Sequence, residues 1–334
     1  MAPMVRERTT TPSSESWTSL AYSMMRVFVN WQRERRLNKV RERKQAARKA
    51  TGLLAAGGVM FYGGHSLAIR VDGSIACWGL NGRGPPAGVP GNFVAIATRA
   101  LHSLALRVDG SIAFWGLNGD GQAPPDGIPG NFVAIAAGAR HSLALRSDGS
   151  IACWGYNGRG QAPPDGVPGD FVAIAAGAEH SLALRVDGSI ACWGDNGFGQ
   201  APPAGVPGNF VAIAAGAHHS LALRVDGSIA CWGLNDRGQA PPAGVPGTFV
   251  AIAAGDDHSL ALRVDGSIAC WGSNNQGRAP PAGVPGTFVA IAAGAEHSLA
   301  LRVDGSIACW GQNNAGQAPP DGVSGPFRAT QANL

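Results

Sequence analysis

The sequence predicts an all-β fold: a seven-bladed β-propeller of about 39-residue repeats, preceded by a basic N-terminal helix. Three observations carry this. The segment HSLALRVDGSIACWG (His180–Gly194) recurs verbatim from His219, His258 and His297, and with one change each from His65 (Ile69), His102 (Phe114) and His141 (Ser147). The seven histidines are spaced by 37 residues once and by 39 residues thereafter, within the usual length of a propeller blade. Net positive charge is confined to one end: residues 1–50 carry a net of +8 and residues 51–334 a net of −4, and no lysine follows Lys49.

Each repeat reads as three strands. The first is FVAIAAG (Phe171–Gly177), β-branched and small. The second is HSLALR (His180–Arg185) and the third SIACWG (Ser189–Gly194), joined by an Asp-Gly hairpin turn. Both strands are apolar on both faces, as in sheets sandwiched between neighbours. Their many alanines and glycines suit blades that converge on an axis. The stretch that follows, DNGFGQAPPAGVPGN, is rich in Gly and Pro and is loop or at most a short edge strand, because proline cannot donate to a ladder. The chain divides into residues 1–15, expected to be disordered, a helix over 16–50 and the propeller over 51–334. Two segments compete for the first-strand position at the ring closure, Val59–Tyr62 and PFRATQ (Pro326–Gln331). The first is expected to complete its own blade, and the second to overlap the seam.

In the arm, Trp17, Leu20, Met24, Phe28 and Trp31 follow a three-four spacing that Leu37 and Val40 extend, while Arg and Lys crowd the second half. A basic amphipathic helix of this type suits a calmodulin-like groove, an anionic membrane surface or nucleic acid. WQRERRLNKVR (Trp31–Arg41) resembles the calmodulin-binding IQ motif at Gln32, Arg36 and Arg41 and departs from it at Trp31 and Leu37. Trp31, Arg35, Arg36 and Arg41 are the arm's candidate contacts. The cluster Arg33–Lys49 also fits nuclear import or an organelle transit peptide, and a solvated helix capping the propeller fits equally.

The repeat invites three chemical readings and supports none. Adjacent residues on a strand point to opposite faces, so His180 and Ser181 cannot form a nucleophile–base pair with each other. Blade-related histidines, and the pair His218–His219, do not converge on one ion, so no metal is expected. The NGRGQ-type loops lack the Gly-Lys-Ser/Thr ending of a phosphate loop and read as turns needing positive φ. In the Arg-x-Asp pairs (Arg185 and Asp187) the aspartate is expected to shape the turn. The six cysteines share one repeat position before Trp, which argues for small buried residues rather than a disulfide framework. No cofactor is expected. A reducing compartment follows, intracellular and either cytoplasmic or nuclear, with organelle import left open. No apolar run reaches the length of a membrane span.

The combination AxGAxHSLALRxDGxIACWGxNxxGQ, in seven copies over about residues 57–320, resembles the repeat of the regulator of chromosome condensation family. The resemblance implies a seven-bladed propeller and a choice of functions: exchange factor for a small GTPase, ultraviolet-B photoreceptor, substrate recruiter of ubiquitin ligases, or secreted inhibitor of β-lactamase. The exchange reading weakens because the units carry no insertion that could act as a wedge. The photoreceptor reading fails because Ala139, Ala178, Ala217, Asp256 and Ala295 stand where it needs tryptophan. The ubiquitin-ligase reading fails because no room remains for a catalytic domain.

Comparison of the copies locates the informative residues. Two places vary: the dipeptide before each His (among them Arg140, Glu179, Asp256 and Asp257) and the loop after each Trp-Gly (among them Tyr156, Arg159, Asp195, Phe198, Leu234 and Arg237). The first and third strands run in one direction, so both sites emerge on the same face of the disc, and the constant hairpin turns on the other. These features describe a monomeric, non-catalytic propeller, a scaffold or adaptor that binds a protein partner through its variable face. Exchange on a small GTPase and inhibition of an enzyme are the alternatives.

Overall fold

A computed structural model describes residues 53–59, 63–80, 89–123 and 128–328. The helix expected over residues 16–50, with Trp31, Arg35, Arg36 and Arg41, and the disorder expected for residues 1–15 lie outside the described residues. The described chain is all-β, apart from one 3-10 turn at Asn275–Gly277. It forms seven three-stranded antiparallel sheets in chain order, the blades of a propeller. In the fourth blade the inner strand is Phe171–Ala176, the middle strand His180–Arg185 and the outer strand Ile190–Gly194.

The middle strand is buried from His180 to Leu184 in every copy, the expected result for an element flanked by two strands and two neighbouring blades. The outer strand is only half-buried, more open than its apolar sequence suggests. Beyond it, Val206 of the Pro-rich stretch makes a single antiparallel bridge to Ile190, a fourth strand reduced to one residue. The prolines on either side prevent the ladder from extending.

The hairpin turn is built as its sequence implies. Gly188 takes φ +86°, a conformation strained for any residue with a side chain. Asp187 Oδ1 accepts hydrogen bonds from the Ser189 amide at 2.8 Å and hydroxyl at 2.6 Å. These bonds hold the Asp187 carboxyl below its usual value. The Arg185 guanidinium instead lies 5.7 Å from the centre of the Phe171 ring, and the same stacking recurs on five further blades.

The ring closes through both ends of the chain. Leu54–Val59, rather than the expected Val59–Tyr62, is the inner strand of blade one, pairing with Gly63–Ile69; residues 60–62 lie outside the described residues. The phenylalanine that begins every other inner strand is absent there, and Phe327 supplies it. Phe327 bridges Arg70 as Phe171 pairs with Arg185, and its amide donates to Gly305 O as that of Phe210 donates to Gly188 O. Its ring packs 6.3 Å from Trp78, close to the 6.1 Å of Phe93 and Trp115. The inner strand of blade one is therefore a composite. The expected overlap at the seam is a shared strand, because neither terminal segment carries both the phenylalanine and the alanine-glycine run.

Candidate interaction face

The residues that resemble an active site are consumed by the seams between blades. His180 Nε2 lies 3.0 Å from Ser220 Oγ of the next blade, not near Ser181. Ser220 Oγ donates to Gln200 O at 2.9 Å, and Trp232 Nε1 donates to the same carbonyl at 2.9 Å. Because the serine proton is used on that carbonyl, the histidine must donate from Nε2. The pattern runs round the ring in one sense, from His65 to Ser103 at 2.9 Å and on to His297, which closes on Ser66 at 2.8 Å. Burial pushes the imidazoles far down, to about 4 for His102 and about 3 for His141, His219 and His297, so they are neutral at pH 7. A Cβ on Gly177 would collide with the His180 ring, which is why Ala-Gly precedes the histidine pair. The cysteines are free, and burial raises the Cys192 thiol to about 12, so it is not a nucleophile. Among the described residues no cluster of His, Cys, Asp and Glu is arranged to hold a metal.

In blades two to five and seven the loop after Trp-Gly has a fixed frame and differing side chains. Asn157 Oδ1 accepts from the Ala162 amide at 2.9 Å, and Gln161 Oε1 accepts from the Arg159 amide at 2.9 Å. The same two bonds hold the blade-four loop through Asn196 and Gln200. Asn and Gln therefore fix the backbone, and the residues between them are free to differ.

The two variable sites meet. The loop of one blade contacts the pre-histidine dipeptide of the next. Arg140 pairs with Asp120 through two hydrogen bonds of 2.8 and 2.6 Å and lies 4.5 Å over the Tyr156 ring. Arg159 lies 3.7 Å from Glu179, and Phe198 stacks 5.3 Å from His218. Arg159 and Phe198 are among the exposed members, at 60% of the side chain and 51% of the residue respectively. Tyr156, Asp195, Leu234 and Glu179 are half-buried, and Arg140 and Arg237 are exposed.

Asp256 and Asp257 are engaged inside the chain. Asp257 lies 3.7 Å from Arg278. Asp256 accepts from Arg99 at 3.0 Å, and Arg99 also donates to Ala215 O at 3.0 Å, so an arginine of blade two reaches across the axis to blades five and six. It lies in a cavity of about 150 Å³ lined by Ala137, Ala176, Ala215 and Ala254. Burial raises the Asp256 carboxyl and lowers the Arg99 guanidinium, and their mutual attraction opposes both. Arg99 is absent from the residues that sequence reasoning selects, although it carries a signal: Thr98-Arg99 stands where the other six blades have Ala-Gly. Arg99→Ala is expected to cost about 1–3 kcal/mol by leaving a half-buried carboxylate unpaired. Removing Asp256 as well should restore part of it. Urea unfolding of the single and double variants checks this, and additive losses would show that the pair is not coupled.

Comparison with known proteins agrees with this architecture. The family model "Regulator of chromosome condensation (RCC1) repeat" matches residues 132–161, 171–200, 210–239, 249–278 and 288–317. The chain belongs to the RCC1 repeat family. Its fold is similar to the CRINKLY ectodomain of the Arabidopsis thaliana receptor kinase ACR4, with TM-score 0.65 and 22% identity over 80% of this chain and 98% of that one. It is also similar to Prp20p of Saccharomyces cerevisiae, with TM-score 0.61 and 22% identity over 80% and 88% of the two chains. Human WBSCR16 matches with TM-score 0.63 and 21% identity over 75% and 86%. No curated protein sequence matches the chain. At these identities the likeness shows a shared fold, and fold alone does not carry function.

Proposed function

We propose that this RCC1 propeller is a non-catalytic interaction module that captures a protein partner through its variable loop face. One observation carries the reading. The differing side chains of neighbouring blades converge at the seams, as in Arg140 on Asp120 and Phe198 on His218, while Asn and Gln hold the loop backbones of blades two to five and seven in one frame. Exposed aromatics and arginines on a rigid frame are the groups that anchor interfaces. Tyr156, Arg159, Asp195, Phe198, Leu234, Arg237, Arg140 and Glu179 form this surface, with Asp256 and Asp257 at its inner edge. Replacing Tyr156, Arg159, Phe198 and Arg237 together by alanine is expected to abolish partner capture by the intact protein without changing its circular dichroism. Undiminished capture would sink the reading.

Exchange on a small GTPase is the second reading. The yeast neighbour is described by its binding to Gsp1p and histones, and a nucleotide-release assay with small GTPases separates exchange from passive capture. Inhibition of a captured enzyme is the third outcome of the same experiment. The basic arm is proposed as a second contact, for a calmodulin-like protein, an anionic membrane or nucleic acid. Replacing Arg35, Arg36 and Arg41 in the intact chain tests it. No helix among the described residues is long and apolar enough to cross a membrane.

A further inference from the structure

The glutamine that closes the loop after Trp-Gly is fully buried in blades two to five and seven, and its amide is used at both ends. Oε1 accepts from a backbone amide of the loop. Nε2 is left to donate to a side chain of the same loop. Gln122 donates to Asp120 at 3.3 Å, Gln200 to Asp195 at 2.6 Å, Gln239 to Asp236 at 3.1 Å and Gln317 to Gln312 Oε1 at 3.3 Å. The acceptors stand at different positions of the loop, and each reaches the amide.

Blade three breaks the pattern. Gln161 Oε1 accepts from the Arg159 amide at 2.9 Å, which fixes the orientation of the side chain. Among the described residues Gln161 Nε2 is buried and has no acceptor. Tyr156, Gly158 and Arg159 stand where the other loops place Asp195, Asp236 and Asp120. A buried donor left unpaired is destabilising. The Tyr156 ring fills the place of the missing acid. A Cβ on Gly158 would collide with that ring and its hydroxyl, and this is the position from which Asp236 reaches its amide in blade five. The same ring lies under Arg140, whose guanidinium is 4.5 Å from its centre. By register, the space that the ring occupies is bordered by a cation and by an unpaired donor, the two groups that suit a carboxylate. Arg140 already binds Asp120, yet an arginine of this face can serve two acids: Arg278 lies 3.7 Å from Asp257 and 3.4 Å from Glu296.

We propose that the blade-three loop takes an aspartate or glutamate side chain from an acidic segment of the protein partner, with the Tyr156 ring swinging aside as its cover. The inference rests on the reading of the variable face as the interaction surface. The incoming carboxylate accepts from Gln161 Nε2 and pairs with Arg140. The displaced ring packs against the partner.

The test uses the full chain labelled with nitrogen-15 and follows the Gln161 side-chain amide by NMR, a signal assigned by its absence from Gln161→Glu. Reading one group separates this site from the basic arm, whose charge attracts acidic peptides anywhere along it. Octa-glutamate at about 0.15 M salt is expected to shift the signal in a saturable way, and an octamer of alternating glycine and serine is not. Arg140→Gln should weaken octa-glutamate at this site about tenfold. Arg185→Gln, on the opposite face, should leave it unchanged. Tyr156→Asp supplies the acid from within, so it should abolish the response and raise the urea midpoint. Leu234→Asp, in a loop whose amide already holds Asp236, should not raise it. No shift with octa-glutamate, or a shift that Arg140→Gln and Tyr156→Asp leave intact, overturns the proposal. If the fourfold face variant still captures its partner, the face reading itself fails. If that variant loses capture while octa-glutamate leaves the Gln161 amide unmoved, only the present inference fails.

Discussion

Acidification below pH 6.5 will destabilise this propeller before its turn aspartates titrate. Seven histidines are buried in the seams, each with Nε2 at 2.8–3.0 Å from the serine hydroxyl of the next blade. Burial, the largest cause, lowers His102 to about 4 and His141, His219 and His297 to about 3, from an ordinary 6.5. Above pH 6.5 both folded and unfolded chains hold these rings neutral, and no stability is lost. As pH falls through 6.5 the unfolded chain takes up protons that the folded chain refuses, until about pH 4 to 3. Stability must therefore fall with pH across that window. Each tenfold difference in proton affinity between the two states is worth about 1.4 kcal/mol, so the loss at pH 4 is on the order of 3 kcal/mol for each histidine held near 3. Three such residues together lose an amount comparable with the ~5–15 kcal/mol that holds a typical domain. Urea unfolding between pH 7.5 and 4.5 should show an uptake of several protons on unfolding, and His180→Gln should reduce that uptake by about one. A flat profile between pH 6.5 and 4.5 would contradict the buried neutral ring. The turn aspartates, such as Asp187, are also held low, but they act only as pH falls below about 4.

Phe327→Ala is expected to destabilise the ring by about 3–5 kcal/mol, more than an ordinary position so near the C-terminus would. The side chain is 5% exposed and completes the core of blade one beside Trp78. Its segment also carries three backbone bonds of the closure: Val71 N to Pro326 O, Phe327 N to Gly305 O and Arg328 N to Ile69 O. Phe210→Ala opens an equivalent cavity in a blade whose inner strand is continuous. The two variants should therefore differ, with Phe327→Ala lower in melting temperature and faster to be cleaved at its termini by a protease. Equal melting points and equal cleavage would mean that the composite strand adds nothing beyond the phenyl ring.

Much of this molecule is legible along the chain, because strand periodicity, Asp-Gly turns and repeat spacing are local. The strand pattern marks His180, Ser181 and Trp193 as architecture, yet it hides their partners. The serine that receives His180 lies 40 residues on, and its identity depends on how blades pack. Comparing the copies and following strand direction locates the variable face, and Tyr156, Arg159 and Phe198 do lie on it. That Asp256 is tied up by Arg99 across the axis is not legible, because the pair is separated by 157 residues and meets only when the ring has closed.

The sequence by itself therefore determined the blades, their number and the face that differs among them, since each follows from contacts within one repeat. The tertiary structure alone decided three things: which histidine meets which serine, that Phe327 finishes the strand begun at Leu54, and that Arg99 of blade two reaches Asp256 of blade six. Each is a contact between blades, and only closure of the ring brings those residues within reach.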